Sequence, residues 1–554
     1  MQVGFGVVCC PLSITFPVNM NTTSFTAHRL MRPLSSLLHA RRVAFTPIVG
    51  APRYATCTML FKLPSAAAAA AAAASSGLPS SPLPLTHHSQ AVVLMVAAVI
   101  SFVVVFVTHS LMKRLRSASA PPLCLHFDVN ETIMLGDPAV CACAISPSIQ
   151  LLVLKLPPSL TVLHPSPLSM MTQGGDSYED SLHKILAKIA FVRQVEPAAR
   201  GPGRWSSWTW HDGSPLDPLL RDASAPPPPL LPDAFADPKG CVRFYNVPEL
   251  KAQFAKCFAA EGSPGVIYRE THEKMRDAMR WPSGVPRDSR LCSDEGYYRF
   301  LPAFFHTLVE LRRRRRPVSV VVRTFGTDLP HLIAALNAFS TGAHPLFPGL
   351  NAPELAIPPE RTWIGRYDAS DGSFNLRNDP RGELGAAKYA EGGADAPASL
   401  PPAFGTEAAM LAELEGEPRG DGLRLSAVQD DYSWWKAAGY RPSAGKPLWL
   451  SLARGGGEFR HIFFDDNIHC DPNDSIVAVR ARVAAGANAP FTPVSGRGTV
   501  ALHGAVLRKV PTMMPVQHKD WFLEQIAQCE ARIDELRARD IRGAAGGLIE
   551  VVGL

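Results

Sequence analysis

The first 127 residues contain no aspartate or glutamate, and the first acidic side chain of the chain is Asp128. Nine basic residues fall in that stretch: Arg29, Arg32, Arg41, Arg42, Arg53, Lys62, Lys113, Arg114 and Arg116. Removing them from the totals of 55 basic and 49 acidic residues leaves 46 against 49, so the remainder carries about −3 and has no basic excess. A nucleic-acid surface on the main body is thereby excluded as an expectation. The eleven cysteines include no C-x-x-C pair. That excludes a zinc ribbon and argues against a disulfide scaffold, leaving reduced thiols and an interior compartment.

Residues 1–120 read as an acid-poor, largely unstructured leader, with the low-complexity run Ala66–Ala74 followed by Ser/Pro-rich sequence. This composition suits an organelle transit peptide, and a misplaced gene start explains it equally well. Within it, Ala91–Val107 is apolar apart from Ser101, near the short end of the roughly 17–25 residues that cross a bilayer. It is a candidate transmembrane helix. Lys113, Arg114 and Arg116 follow, which places the C-terminal part on the cytosolic or stromal side if the segment spans. Membrane anchoring and organelle targeting both stay open.

From residue 121 the pattern changes. Leu123–Asp128 (LCLHFD), Val318–Val322 and His461–Phe464 are short apolar runs suited to buried parallel strands. Helical periodicity lies between them, at Ser181–Val192, Tyr297–Leu311 and Leu329–Phe339, and again at Trp521–Arg539. Alternating strands and helices predict an α/β fold with a doubly wound parallel sheet. Residues 140–173 interrupt this pattern with a single charge, Lys155. The stretch opens on Val140, encoded by GT codons, and closes on Gln173, encoded by CAA or CAG. It reads as a translated intron, the alternative being a genuine apolar insertion.

Three strand ends carry chemistry. In HFDVNETIM a strand stops at Asp128, with Asn130 and Thr132 following at alternate positions. In VSVVVRTFGTD a strand stops at Thr324, and Gly326 leaves the backbone open to close approach. In HIFFDDNIHCDPND a strand stops at the pair Asp465 and Asp466, with Asp471 and Asp474 behind them. Paired carboxylates are hard oxygen donors of the kind magnesium takes.

The sequence strand-D-x-[D/N]-x-T, followed in order by the two later segments, resembles the motifs of the haloacid dehalogenase superfamily. The resemblance implies a Rossmann-like core with cap insertions, placed within 181–316 and 329–445, in a catalytic domain spanning 121–554. It implies Asp128 as the nucleophile that forms an aspartyl intermediate, and Thr324, Phe325 and Gly326 as the phosphoryl cradle. It implies Asp128, Asn130 (through its carbonyl), Asp465 and Asp466 as ligands of Mg2+. A charge-offsetting lysine is also expected: Lys446 in SAGKPLWL, or Lys436 in DDYSWWKAAGY. Asn130 is the departure, because phosphatases of the family place there an aspartate that protonates the leaving group, and an amide cannot.

The expected activity is magnesium-dependent hydrolysis of a small phosphorylated molecule. A catalytically weak protein that binds such a ligand is the alternative, and carbon–halogen hydrolysis through Asp128 is a third. Trp281, Trp363, Arg366, Trp434 and Trp435 fall in the candidate cap segments and receive no role. His469 lies beside the metal motif, and Arg312–Arg316 reads as the solvated, dipole-complementing end of a helix.

Overall fold

In the computed structural model the described residues are 12–19, 43–47, 54–61 and 121–553, less 136–176, 202–203, 223, 233–236, 379–401, 417–421, 453–458, 470, 474, 485–488, 543–546 and 552. The chain divides into two units, residues 1–107 and 108–554. In the first, β1 (Leu12–Asn19), β2 (Val43–Pro47) and β3 (Tyr54–Phe61) form an antiparallel sheet in the order β1-β3-β2. The expectation of a largely unstructured leader is corrected to that extent. Runs such as SITF and TCTMLF are rich in β-branched and aromatic residues, which suit a pleated strand. Ala91–Val107 and residues 140–173 lie outside the described residues. Among the described residues no helix is long and apolar enough to cross a membrane.

The second unit is built on a seven-stranded sheet. Its strands are β4 (Leu123–Asp128), β8 (Val318–Thr324), β9 (Thr362–Tyr367), β10 (Phe374–Asn378), β11 (Leu423–Gln429), β13 (Arg460–Asp465) and β16 (Leu507–Lys509). The intervening numbers belong to β5 (Phe191–Gln194), β6 (Trp208–Trp210), β7 (Val242–Arg243), β12 (Lys446–Ser451), β14 (Val477–Arg482) and β15 (Thr492–Pro493), which form two further three-stranded sheets. The main sheet has the order β10-β9-β11-β8-β4-β13-β16. All its neighbours pair in parallel except the edge strand β10, which is antiparallel to β9.

Both faces of this sheet are covered, which is why its strands read as nearly continuous apolar runs. Every residue of β4 and β8 is buried. Leu125, Phe127, Val320 and Val322 join one core cluster, while Cys124 and Val321 join a second on the alternate positions. The helices Pro302–Arg314 and Trp521–Ile541 bring Phe304 and Phe522 against Phe127 on the first face. The helix Glu407–Glu415 brings Met410, Leu411 and Leu414 to the second. The mixed α/β expectation with a mainly parallel sheet is therefore met.

Details differ from the periodicity reading. The helix expected over Tyr297–Leu311 begins at Pro302, because proline is tolerated in the first turn but not beyond it. Tyr297, Tyr298 and Phe300 instead make isolated strand-like bridges. The helix expected over Ser181–Val192 runs Tyr178–Ile189 behind a capping box of Ser177 and Asp180, and Phe191 and Val192 turn into β5. Arg312 and Arg316 are not simply solvated: they pair with Glu354 and Glu530, and Arg316 also holds the Pro121 carbonyl. The stretch 329–445 supplies β9, β10 and β11 to the main sheet, so as a cap insertion it is corrected. Residues 178–301 supply the sheet β6-β5-β7 and the helices beside it, within the same compact unit as the main sheet.

The topology has one reversal. From β4 the chain lays β8, β9 and β10 progressively outward on one side, inserts β11 between β8 and β9, then crosses to lay β13 and β16 on the other side of β4. Crevices at such a reversal, outside the carboxyl ends of the strands, are where α/β sheets bind ligands. Phe127 anchors this point, with ring centroids 5.4, 4.9 and 5.3 Å from Phe304, Phe464 and Phe522. Phe127→Ala is expected to cost about 3–5 kcal/mol, as for other buried phenylalanines. Denaturant unfolding checks this, and a loss under 1 kcal/mol contradicts it.

Candidate functional site

Asp128 ends β4, Thr324 ends β8 and Asp465 ends β13, so three neighbouring parallel strands deliver their last residues to one edge. Lys446 arrives from β12, outside this sheet, and its Nζ lies 2.7 Å from Asp465 Oδ2 while also donating to Asp128 Oδ1. All three charged groups are buried. Lys446 is the lysine that meets Asp128, and Lys436, on the helix Tyr432–Ala437, is exposed.

Two carboxylates share one ammonium, and Asp466 follows at once. The Asp466 backbone N–H donates to Thr132 Oγ1 at 3.1 Å, and the Asn467 N–H donates to Asp465 Oδ1 at 2.8 Å. Burial pushes the Asp128 carboxyl up to about 8, with Lys446 opposing the shift and Asp465 reinforcing it. Burial also holds Asp466 well above the carboxylate range, with Glu131 adding to the effect and Lys188 opposing it. Burial works to lower Lys446, but Asp128 and Asp465 outweigh it and raise it. Three carboxylates thus crowd together beside Lys446 and Lys188, and burial favours protons on Asp128 and Asp466 where no cation takes their place.

Thr324 is fixed by its own loop. Its Oγ1 accepts the Gly326 N–H at 2.8 Å and lies 3.4 Å from Asp328 Oδ2. A Cβ on Gly326 would displace the Asp328 carboxylate and crowd Asn130 Nδ2 and Thr324 Oγ1, so a side chain there would disturb the contacts that fix this loop. Gln429 Nε2 donates to the Gly326 carbonyl at 3.0 Å and holds the loop from β11. The Phe325 ring has Lys446 Nζ 5.1 Å from its centroid and stacks on Trp435 at 4.9 Å. Asn130 Nδ2 donates to Asp328 Oδ2 at 2.9 Å, and its Oδ1 is buried without a hydrogen-bond partner.

The remaining expected residues sit apart or pack. Trp281 donates to the Val285 carbonyl, Trp363 is buried, and Trp434 stacks on Tyr367. Arg366 donates to the Gly365 carbonyl. Asp471 is exposed, and Asp474 lies outside the described residues. His469 Nδ1 is 3.5 Å from Lys509 Nζ, at the rim of the site.

Several residues here are not singled out by the motifs. Arg323 is wholly buried, forms a two-pronged pair with Asp430, and donates to the Pro447 carbonyl at 3.0 Å. It therefore ties the ends of β8 and β11 to the residue next to Lys446. The only signal in the sequence is a charge inside the apolar run VVVRT, matched by the strand-terminal pair Asp430-Asp431. Glu131, at φ 53°, and its partner Lys188 complete the wall beside Asp466.

Three groups among the described residues bring possible metal-ligand atoms within 4.8 Å of one another. In Cys124, His126 and His461 the imidazole nitrogens are 3.3 Å apart and the ring centroids 5.6 Å. The difference is about two ring radii, so the nitrogens face each other head-on in a hydrogen bond and their lone pairs do not converge on a third point. His461 Nε2, 2.9 Å from Glu415, completes that chain as a donor. In Glu179, His183 and His272 the two rings stack face to face at 4.1 Å, and His183 Nδ1 accepts the Ala259 N–H. Among the three, Asp128, Asp465 and Asp466 form the one set made wholly of carboxylate oxygens, within 4.8 Å of one another, and such donors fit a hard cation.

No known protein family, curated protein or solved structure matches this chain. Its chemistry rests on geometry.

Two expectations follow. Removing Arg323 leaves Asp430 buried and uncompensated, so Arg323→Met is expected to destabilise by about 3–5 kcal/mol; denaturant unfolding reads this, and a neutral substitution contradicts it. The second concerns pH. A carboxyl whose folded pKa is raised contributes stability that is complete at low pH and is lost as pH climbs toward the folded value. Without a cation, stability is expected to fall from pH 6 to 8 by up to about 1.4 kcal/mol per unit for each such group. Saturating magnesium is expected to remove most of that slope by taking the place of the protons. Melting in chelator and in magnesium checks this, and a chelator Tm flat across the range contradicts it.

Proposed function

We propose that the protein is a magnesium-dependent hydrolase of phosphorylated small molecules, a member of the haloacid dehalogenase superfamily with Asp128 as nucleophile. The observation that carries this reading is Lys446 bridging Asp128 and Asp465 at the reversal point of the sheet. An ordinary strand-end aspartate caps a turn. Asp128 instead points into a buried cluster beside two more carboxylates, with a hydroxyl and backbone amides on the next strand.

In this reading Asp128 attacks phosphorus, the leaving oxygen departs, and water then cleaves the aspartyl phosphate. Lys446 holds the attacking carboxylate in place and offsets the charge that gathers between it and the phosphoryl oxygens. Thr324 Oγ1 and the amides of Phe325 and Gly326 bind those oxygens. Asp128, Asp465, Asp466 and the Asn130 carbonyl would hold magnesium, which would supply charge neutralisation for the phosphoryl group. The grounds for that cation are three carboxylates drawn together, two of them disposed by burial to hold protons that a cation can replace, and their all-oxygen donors.

A second reading is favoured by one contact. Asn130 sits where a proton donor is wanted, and its amide is engaged with Asp328. A protein that binds a phosphorylated ligand without turnover fits this arrangement, and so does a hydrolase whose substrate has a good leaving group, such as an acyl phosphate. Activity that survived chelation would instead indicate carbon–halogen chemistry at Asp128. Phosphate release from a panel of phosphate esters and acyl phosphates in magnesium is expected to fall at least 1,000-fold in Asp128→Asn. Saturable binding with no release in the unaltered protein would transfer the conclusion to the binding reading.

A further inference from the structure

β11 ends at Gln429, in register with Thr324 of the phosphoryl cradle. After Asp430 and Asp431 the short helix Tyr432–Ala437 begins, its first turn closed by the Asp431 carboxylate, which accepts the Trp434 N–H at 3.0 Å. The chain thus sets a helix at the carboxyl edge of the sheet, beside the strand that carries Thr324, where α/β sheets bind ligands. Two adjacent indoles come with it, and neighbouring helical residues point roughly 100° apart. Trp434 turns to the sheet and stacks on Tyr367 of β9, with ring centroids 5.3 Å apart. Trp435 turns to the cradle and lies flat against Phe325, at 4.9 Å and 12°.

Phe325 has Lys446 Nζ 5.1 Å from its centroid, and Tyr440 meets Trp435 edge to face at 5.0 Å. A continuous row of rings therefore runs from the buried lysine beside Asp128 out to solvent, with Phe325 and Trp435 half-buried and Tyr440 47% exposed. The Trp435 Nε1 is buried with no hydrogen-bond partner, so ring contacts alone orient that indole. Tyr440 has φ 60°, a left-handed backbone that glycine adopts freely and a tyrosine does not. A side-chain hydrogen bond joins it to Tyr432. Packing accounts for Trp434. It does not account for a tyrosine kept in a strained backbone with half its surface in water, one ring away from the cradle's own partner. Such a row offers little to hydrogen-bond and much to stack on, and a flat aromatic ring gains there beyond the area it covers, which a puckered ring does not.

Resting on the hydrolase reading above, we infer that the substrate carries its phosphate on a planar aromatic body, and that this body stacks on the row formed by Phe325, Trp435 and Tyr440. Phe325 joins the two ends of the site: in that reading its amide serves the phosphoryl oxygens, and its ring begins the row. Contacts made away from phosphorus in this way raise affinity and orient the reacting end.

The test uses benzylphosphonate and cyclohexylmethylphosphonate, whose carbon–phosphorus bonds resist hydrolysis and whose rings are of one size, the first flat and the second puckered. Their Kd values are measured by isothermal titration calorimetry on the full-length protein in magnesium, and phosphate release from benzyl phosphate and the ester panel is recorded in parallel. Benzylphosphonate is expected to bind at least fivefold more tightly. Tyr440→Leu, at an exposed side chain, and Trp435→Leu are each expected to remove most of that preference, and Trp435→Phe to keep more of it than Trp435→Leu does. Equal affinity for the two phosphonates, binding of neither, or a preference that persists in either leucine variant overturns the inference. A preference without phosphate release sustains the aromatic row and removes the hydrolase reading. Release without a preference does the reverse, so the two failures are distinguishable.

Discussion

A buried ammonium shared by two carboxylates is the constraint around which the second unit is organised. Taking Lys446, Asp128 and Asp465 out of water is unfavourable for each group alone, and only their mutual contact makes it tolerable. That contact requires β4 and β13 to be neighbours with their carboxyl ends level, and it requires β12 to enter from outside the sheet at the same height. The parallel pairing supplies the first condition, and the Arg323–Asp430–Pro447 linkage supplies the second. The charged cluster and the apolar sheet are thus two halves of one arrangement. The apolar strands set where the charges end, and the charges set which strand ends must coincide.

Much of this was legible in the sequence because buried parallel strands announce themselves. LCLHFD, VSVVVRT and RHIFFD are apolar for almost their whole length and then stop abruptly on a polar residue. A reader who takes each stop as the edge of the sheet collects Asp128, Thr324 and Asp465 without knowing the order of the strands. Lys446 was legible only as one of two lysines. The run that follows it suits a strand or a helix equally, and only the pairing of β12 with β14 decides the matter. Its contact with Asp128 spans too much sequence for any local pattern to reveal.

The supporting residues were hidden for a different reason. Arg323, Asp430, Asp328 and Gln429 act on the site through other side chains or through backbone carbonyls, and neither kind of contact leaves a spacing rule. The helix over 302–314 was misplaced at its start because apolar periodicity continues through Tyr297 and Phe300, whereas Pro302 fixes where a helix can begin. Of the cap segments expected within 329–445, the parts that form β9, β10 and β11 belong instead to the main sheet, and periodicity does not distinguish a strand of the main sheet from one in a separate lobe.

Asp128 and Lys446 are 318 residues apart in the chain, and Lys446 and Asp465 are separated by only 19. During synthesis, therefore, Asp128 leaves the ribosome long before Lys446, the group that pairs with it. β4 must wait, unpaired on one side, for β13 to occupy the place beside it, and contacts of such long sequence separation form slowly. The cluster of Asp128, Lys446 and Asp465 is thus completed only after most of the chain has been made.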